Sequence, residues 1–189
     1  MRIPLVIFTA LLFVFTSCEE ENPVPKPKGY FRIKLPEKNY VKFEKICAYT
    51  FETPVYSKID TSPGIKEPCW INIHYPLFDA TLHLSYKPVN NNLQNYLEDA
   101  RSLTYKHTAK ANDIEEILIK NPEQNVYGLV YDVKGNAASS VQFFVTDSTR
   151  HFLRGALYFN NVPNYDSINP VLEFLHKDVE RFIQSIEWK

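Results

Sequence analysis

Asp147, Ser148 and His151 bring a carboxylic acid, a hydroxyl and an imidazole into one short stretch, and those are the side-chain types that acyl transfer uses. Their setting points elsewhere. Asp and Ser are what a tight turn selects, because both hydrogen-bond to nearby main chain, and Ser148 lacks the flanking glycines of a nucleophile elbow. His74 and His83 fall on neighbouring predicted strands and could begin a metal site, yet no third ligand lies at a spacing that completes one. A half-exposed polar face fits them better. Arg154, mid-strand among aromatics, is expected to be partly buried and paired with Asp132 or Asp147, with anion binding as the alternative. A phosphate loop, H-E-x-x-H, C-x-x-C and a Gly-rich cofactor turn are all missing, and 5 glycines in 189 residues leave little material for backbone to approach a ligand closely. No catalytic residue, cofactor or metal is expected, and the chain is read as a non-enzyme.

The three cysteines divide by position. Residues 1–17 open with Met1 and Arg2, run through mostly apolar residues from Ile3 to Phe15 and end on Thr16 and Ser17, the pattern of a secretory leader. The run is shorter than the roughly twenty apolar residues a spanning helix needs, and Glu19, Glu20 and Glu21 follow it directly. The small residues before Cys18 resemble the lipobox of bacterial lipoproteins, with Phe15 in place of the usual leucine. That resemblance implies acylation of Cys18 and cleavage before it. Two or three acyl chains, each methylene contributing about 0.8 kcal/mol, make such an anchor effectively permanent. Cys47 and Cys69 then remain, in a chain exported to an oxidising compartment and at the starts of predicted strands. A disulfide between them is plausible on those grounds, and two buried thiols are the alternative.

Behind the anchor the chain divides simply. Residues 18–29 carry three prolines and almost nothing to bury, so they read as a spacer that, at roughly 3.1 Å per residue, would hold a domain about 35 Å from the bilayer. The three glutamates also resemble signals that select surface display in some bacteria. Residues 30–189 read as one globular domain. The formal net charge is −1, so a nucleic-acid partner or an anionic lipid surface is not called for.

The elements follow from periodicity. Tyr30 to Leu35 and Cys47 to Thr53 alternate and stop at prolines, which predicts strands, and Tyr56 to Pro68 reads as loop. Trp70 to Tyr75 and Thr81 to Tyr86 form a predicted hairpin, in a register that faces Asn72 with Ser85 and His74 with His83 across a turn at Leu77 to Ala80. Asn90 to about His107 has helical spacing, with His107 complementing the helix C-terminus. Ile114 to Lys120 leans to strand. Asn125 to Val133, Ala137 to Thr146 and Arg150 to Asn160 predict an antiparallel meander covered on both sides. Asn169 and Pro170 open a last amphipathic helix, with Glu173, Lys177, Asp178, Glu180 and Arg181 expected in water. The expected fold class is α+β, an antiparallel sheet of about six or seven strands with two main amphipathic helices packed on it.

Several runs carry a family likeness. Pro68 to Ile73, Thr81 to Lys87, Tyr105 to Thr108, Gly135 to Ser140, Thr146 to Ser148, His151 to Phe159 and Pro163 to Ser167 together resemble the gliding-motility lipoprotein GldD family of Bacteroidota. The resemblance spans nearly the whole domain. It implies a cell-envelope lipoprotein required for gliding, whose partners are other gliding-motility and type IX secretion envelope proteins, with membrane attachment through the N-terminal lipid. It brings no catalytic residue; Cys18 alone matches a functional position. Glu rather than Asp behind Cys18 favours the outer membrane facing the periplasm, with surface display as the other outcome.

Overall fold

The computed structural model describes residues 32–44, 47–65, 67–160 and 165–189. The leader, Cys18, the spacer and the first two residues of the predicted Tyr30 to Leu35 strand lie outside the described residues.

The strongest sequence signal builds the centre. Strands β7 (Val126–Gly135), β8 (Ser139–Thr146) and β9 (His151–Phe159) form the expected meander, pairing antiparallel. Gly135 takes φ +101°, a left-handed conformation that suits its turn. β6 (Ala111–Asn121) adds one edge, and β5 (Ala80–Pro88), β4 (Ile71–Tyr75) and β3 (Lys58–Asp60) extend the other, giving a seven-stranded sheet in the order β3-β4-β5-β9-β8-β7-β6. A separate sheet has the order β1-β2-β10, from Tyr40–Phe43, Tyr49–Pro54 and Glu187–Trp188.

A helix covers each face of the large sheet. Alternate side chains point to opposite faces, so two cores form. Helix α2 (Tyr165–Gln184) and the small sheet cover one of them: Phe51, Leu82, Leu84, Phe143, Leu153 and Phe182 are buried together, each contributing roughly 1.5–3 kcal/mol. Helix α1 (Leu93–Tyr105) covers the other, where Ala100 packs with Tyr131, Val133, Phe144 and Phe152. Every residue of β8 is buried, as expected for a strand covered on both sides. The fold is α+β, with two main helices and an antiparallel seven-stranded sheet, and the sequence reading of its class holds.

Five local expectations fail. Residues 32–39 form no regular element, and the first strand starts at Tyr40. The stretch read as loop contains β3, because Ile59 finds a partner in Ile73. The β4-β5 hairpin keeps its facing parity but slides: Asn72 pairs with His83 and His74 with Thr81. The left-handed turn position thereby falls on Asp79, at φ 48°, which tolerates it, and Ala80 is left to be buried. Helix α2 begins at Tyr165, whose N–H is accepted by Asn136 Oδ1 at 2.9 Å, so Pro170 lies inside the helix and removes one backbone bond. Asp178, expected in water, is 1% exposed.

Candidate functional site

The β8-β9 turn shows what Asp147, Ser148 and His151 do. Asp147 Oδ1 accepts backbone N–H groups from Thr149 at 3.0 Å, Arg150 at 2.8 Å and His151 at 2.8 Å, and Oδ2 accepts the Thr149 hydroxyl at 3.0 Å. Burial pushes the Asp147 carboxyl up, but these donors together outweigh it and hold the pKa at about 2. Ser148 sits at φ 67° with its N–H donated to Thr146 Oγ1. The His151 imidazole points away, with Nδ1 2.9 Å from the Tyr86 hydroxyl and the ring stacked on Trp188 at 5.1 Å. Burial lowers its pKa and favours the neutral ring. Acid and imidazole therefore belong to different hydrogen-bond sets. A polar depression of about 490 Å³ beside the turn is lined by Glu123, Gln124, Asp147 and Arg150, among others, but not by Ser148 or His151.

The hairpin separates the two strand histidines in the same manner. His74 Nδ1 meets Thr81 Oγ1 at 3.0 Å, and His83 Nδ1 meets Asn72 Oδ1 at 2.8 Å. Burial, and then the positive charge available to His74, lowers the pKa of His83. Among the described residues no group of three His, Cys, Asp or Glu side chains could hold a metal.

Cys47 and Cys69 do come together. Burial and then a hydrogen bond with Cys69 push the Cys47 thiol up to about 12. Cys69 has φ 62°, and its carbonyl accepts the hydroxyl of the buried Tyr49 at 3.0 Å.

Arg154 is partly buried as expected, but its partner is neither aspartate. Its Nη2 donates to Gln142 Oε1 at 2.5 Å. Asp132 pairs in register with Val141, and so lies on the opposite face of the sheet, while Asp147 is saturated by its own turn. Gln142 was not singled out by the sequence; its place next to Arg154 depends on the β8-β9 pairing of Phe144 with Arg154, which no local pattern encodes. His107, read as a helix-end charge, is instead lowered in pKa by burial and then by the Arg154 charge.

One surface feature also escaped the sequence reading. β6 is a long edge strand, and Leu118 is 74% exposed on it, with Ile117 at 42%. Its consecutive apolar residues Ile117, Leu118 and Ile119 look like those of a strand covered on both faces. Asp113, Glu115 and Glu116 in its first half are the charges that usually guard an edge, and the second half lacks them apart from Lys120. No described helix is long and apolar enough to cross a membrane.

Two helices on opposite faces of an antiparallel sheet, with the polar clusters tied into the scaffold's own hydrogen bonds, define the class as an α+β domain. Its sequence places it further: the chain belongs to the gliding motility lipoprotein GldD family, whose model matches residues 20–188. It is therefore related to motility lipoproteins, a family not known for enzymatic activity, and lipoprotein character implies anchoring at the envelope. Among solved structures, it is similar to the solution structure of cyanobacterial PsbP (CyanoP) from Synechocystis sp. PCC 6803, with a TM-score of 0.48 and 9% identity, covering 84% of this chain and 98% of that one. The comparison with curated proteins returned no match.

Proposed function

We propose that this chain is a non-enzymatic assembly or interaction component of the gliding apparatus, linked to type IX secretion of surface adhesins, with lipidated Cys18 anchoring it to the outer membrane on the periplasmic side. The observation that carries the reading is the β6 edge. A long strand that no other strand among the described residues pairs on its outer side, with Leu118 exposed beyond Ile117, is a template for an added strand from a neighbouring protein, with main-chain hydrogen bonds supplying affinity and side chains supplying selectivity. The acidic first half of β6 matches a basic segment in that partner. Family membership supports the motility setting, and the turn that engages Asp147 in backbone bonds supports a role without substrate turnover.

Chromosomal variants test the proposal. Leu118→Arg, at wild-type abundance, is expected to abolish colony spreading and adhesin export, whereas Ser148→Ala and His151→Ala in folded protein leave both intact. Normal spreading by Leu118→Arg together with arrest in Ser148→Ala would replace the docking role with a catalytic one.

A further inference from the structure

On the sheet face that carries α1, a groove of about 440 Å³ runs between the helix and strands β5 and β9. Register builds its floor: Ser85 pairs with Arg154 and Lys87 with Phe152, so these four side chains emerge on the same side. Tyr96 and Leu103 of α1 form the opposing wall, and Trp70 contributes its ring.

Charge in the groove is one-sided. Arg154, Lys87 and Lys106 line it against a single carboxylate, Asp99. Arg154 is the deepest of the three cations, and burial lowers its pKa, with Tyr158 the neighbour that opposes the shift. The oxygen it reaches, Gln142 Oε1, is already shared with the Thr104 hydroxyl at 3.3 Å. Gln142 is 1% exposed, and its Nε2 has no hydrogen-bond partner among the described residues. Two donors, the Arg154 guanidinium and the Thr104 hydroxyl, thus meet on one amide oxygen, the hydroxyl also reaching the Ala100 carbonyl at 3.0 Å, and with Gln142 Nε2 left without an acceptor the cluster holds donors in excess of acceptors. Buried cations are ordinarily matched by an anion, because an unmatched one forfeits its hydration without return. The missing complement here is negative charge. The aromatic and aliphatic walls select what carries it, and the volume lies within the roughly 300–1,000 Å³ of small-molecule sites.

We propose that this groove binds a small organic anion, a carboxylate or phosphate on a flat apolar body, with the Arg154 guanidinium taking the charged group and Trp70, Tyr96, Leu103 and Phe152 covering the remainder. The site lies on other strands than the β6 edge, so its failure leaves the docking proposal standing.

The test uses the full-length lipoprotein in phosphatidylcholine nanodiscs, titrated with phenyl phosphate, phenylbutyrate and uncharged phenylbutanol while tryptophan fluorescence is followed, Trp70 being the groove reporter. Saturable binding of at least one anion is expected, with the alcohol at least about tenfold weaker and Arg154→Gln weakening the anion by about tenfold or more. Because Arg154 is partly buried, a Lys87→Gln, Lys106→Gln double variant is measured in parallel; it is expected to weaken the anion about threefold or more and leave the alcohol unchanged. Circular dichroism and unfolding midpoints establish that each variant is folded. Equal affinity for anion and alcohol, unchanged affinity in both folded variants, or no saturable response to either anion up to about 10 mM overturns the proposal. A response confined to discs doped with phosphatidic acid also overturns it, since the occupant is then a lipid rather than a soluble anion.

Discussion

Lys38 Nζ lies 2.6 Å from Asp178 Oδ1, joining the segment ahead of β1 to the middle of helix α2. The same ammonium donates to the Phe174 carbonyl at 2.8 Å and sits 3.6 Å from the centre of the Phe174 ring. Asp178 also accepts the Tyr40 hydroxyl at 2.8 Å and, through Oδ2, a very short bond from Tyr56. Burial, and then the bond to Asp178, drives both tyrosine hydroxyls far above their ordinary range, so they remain donors. One carboxylate therefore ties Lys38, the small sheet and the last helix together.

Removing that carboxylate strands three donors at once. Asp178→Ala is expected to destabilise the fold by about 3 kcal/mol, the loss typical when one member of a buried charge pair is deleted. Tyr40→Phe, which leaves the other two donors paired, costs about 1.5 kcal/mol. Urea unfolding of the two variants beside wild type checks the order; equal midpoints for Asp178→Ala and wild type would show that the cluster is not structural.

A second stability effect comes from close packing on the sheet. A Cβ built on Gly155 would lie 2.2 Å from the Phe143 ring, and Phe143 in turn packs against Phe182 at 5.7 Å. At Gly128 the same atom would meet the Phe144 carbonyl oxygen, which is backbone and cannot swing aside. Gly155→Ala is therefore expected to cost about 1–3 kcal/mol by overpacking, and Gly128→Ala more. Thermal unfolding ranks them, and a Gly128→Ala protein as stable as wild type would contradict the β7-β8 register.

Central strands were legible in the sequence because β7, β8 and β9 are bounded by turn residues and carry apolar side chains throughout. The family was legible from runs that span the domain, and residues 20–188 match its model. Features that depend on distant partners were not. Asp178 falls among polar neighbours along its helix, and nothing local says that Lys38, Tyr40 and Tyr56 will surround it. β3 has three residues and exists only because β4 offers it an edge. Burial of Arg154 could be read from its aromatic flanks, but Gln142 as its acceptor follows from inter-strand register. The hairpin slid by two residues because alternation fixes only which face each side chain takes, and both registers satisfy it; the left-handed turn position that Asp79 accepts more readily than Ala80 was the signal that separates them.

The proximity of Cys47 and Cys69 makes the proposed bridge measurable. In protein exported to an oxidising compartment, the envelope's thiol oxidant takes two electrons and two protons from the pair, and the intact mass falls by about 2 Da. Closing a loop of about twenty residues then stabilises the fold by about 3 kcal/mol, lost again on reduction or in Cys69→Ser. Non-reducing mass spectrometry of envelope-purified protein reads this directly, and quantitative alkylation of both half-buried thiols without prior reduction would show that no bridge forms.

Acid stability should isolate the β8-β9 turn. Asp147 is held at about 2 in the fold against an ordinary value of 3.8, so the unfolded chain takes up its proton first as pH falls. The corresponding stabilisation is fully present above the ordinary value and disappears as pH drops through about 2. Solvent screening at the surface turn limits it to about 1 kcal/mol. Asp147→Asn retains an oxygen for the backbone donors of Thr149, Arg150 and His151 but has no proton to gain. It is expected to lower stability by about 1 kcal/mol at neutral pH and to flatten this contribution between about pH 4 and pH 2. Urea midpoints measured across that window for both proteins decide it: parallel profiles would mean that the turn does not hold the carboxylate in its charged form.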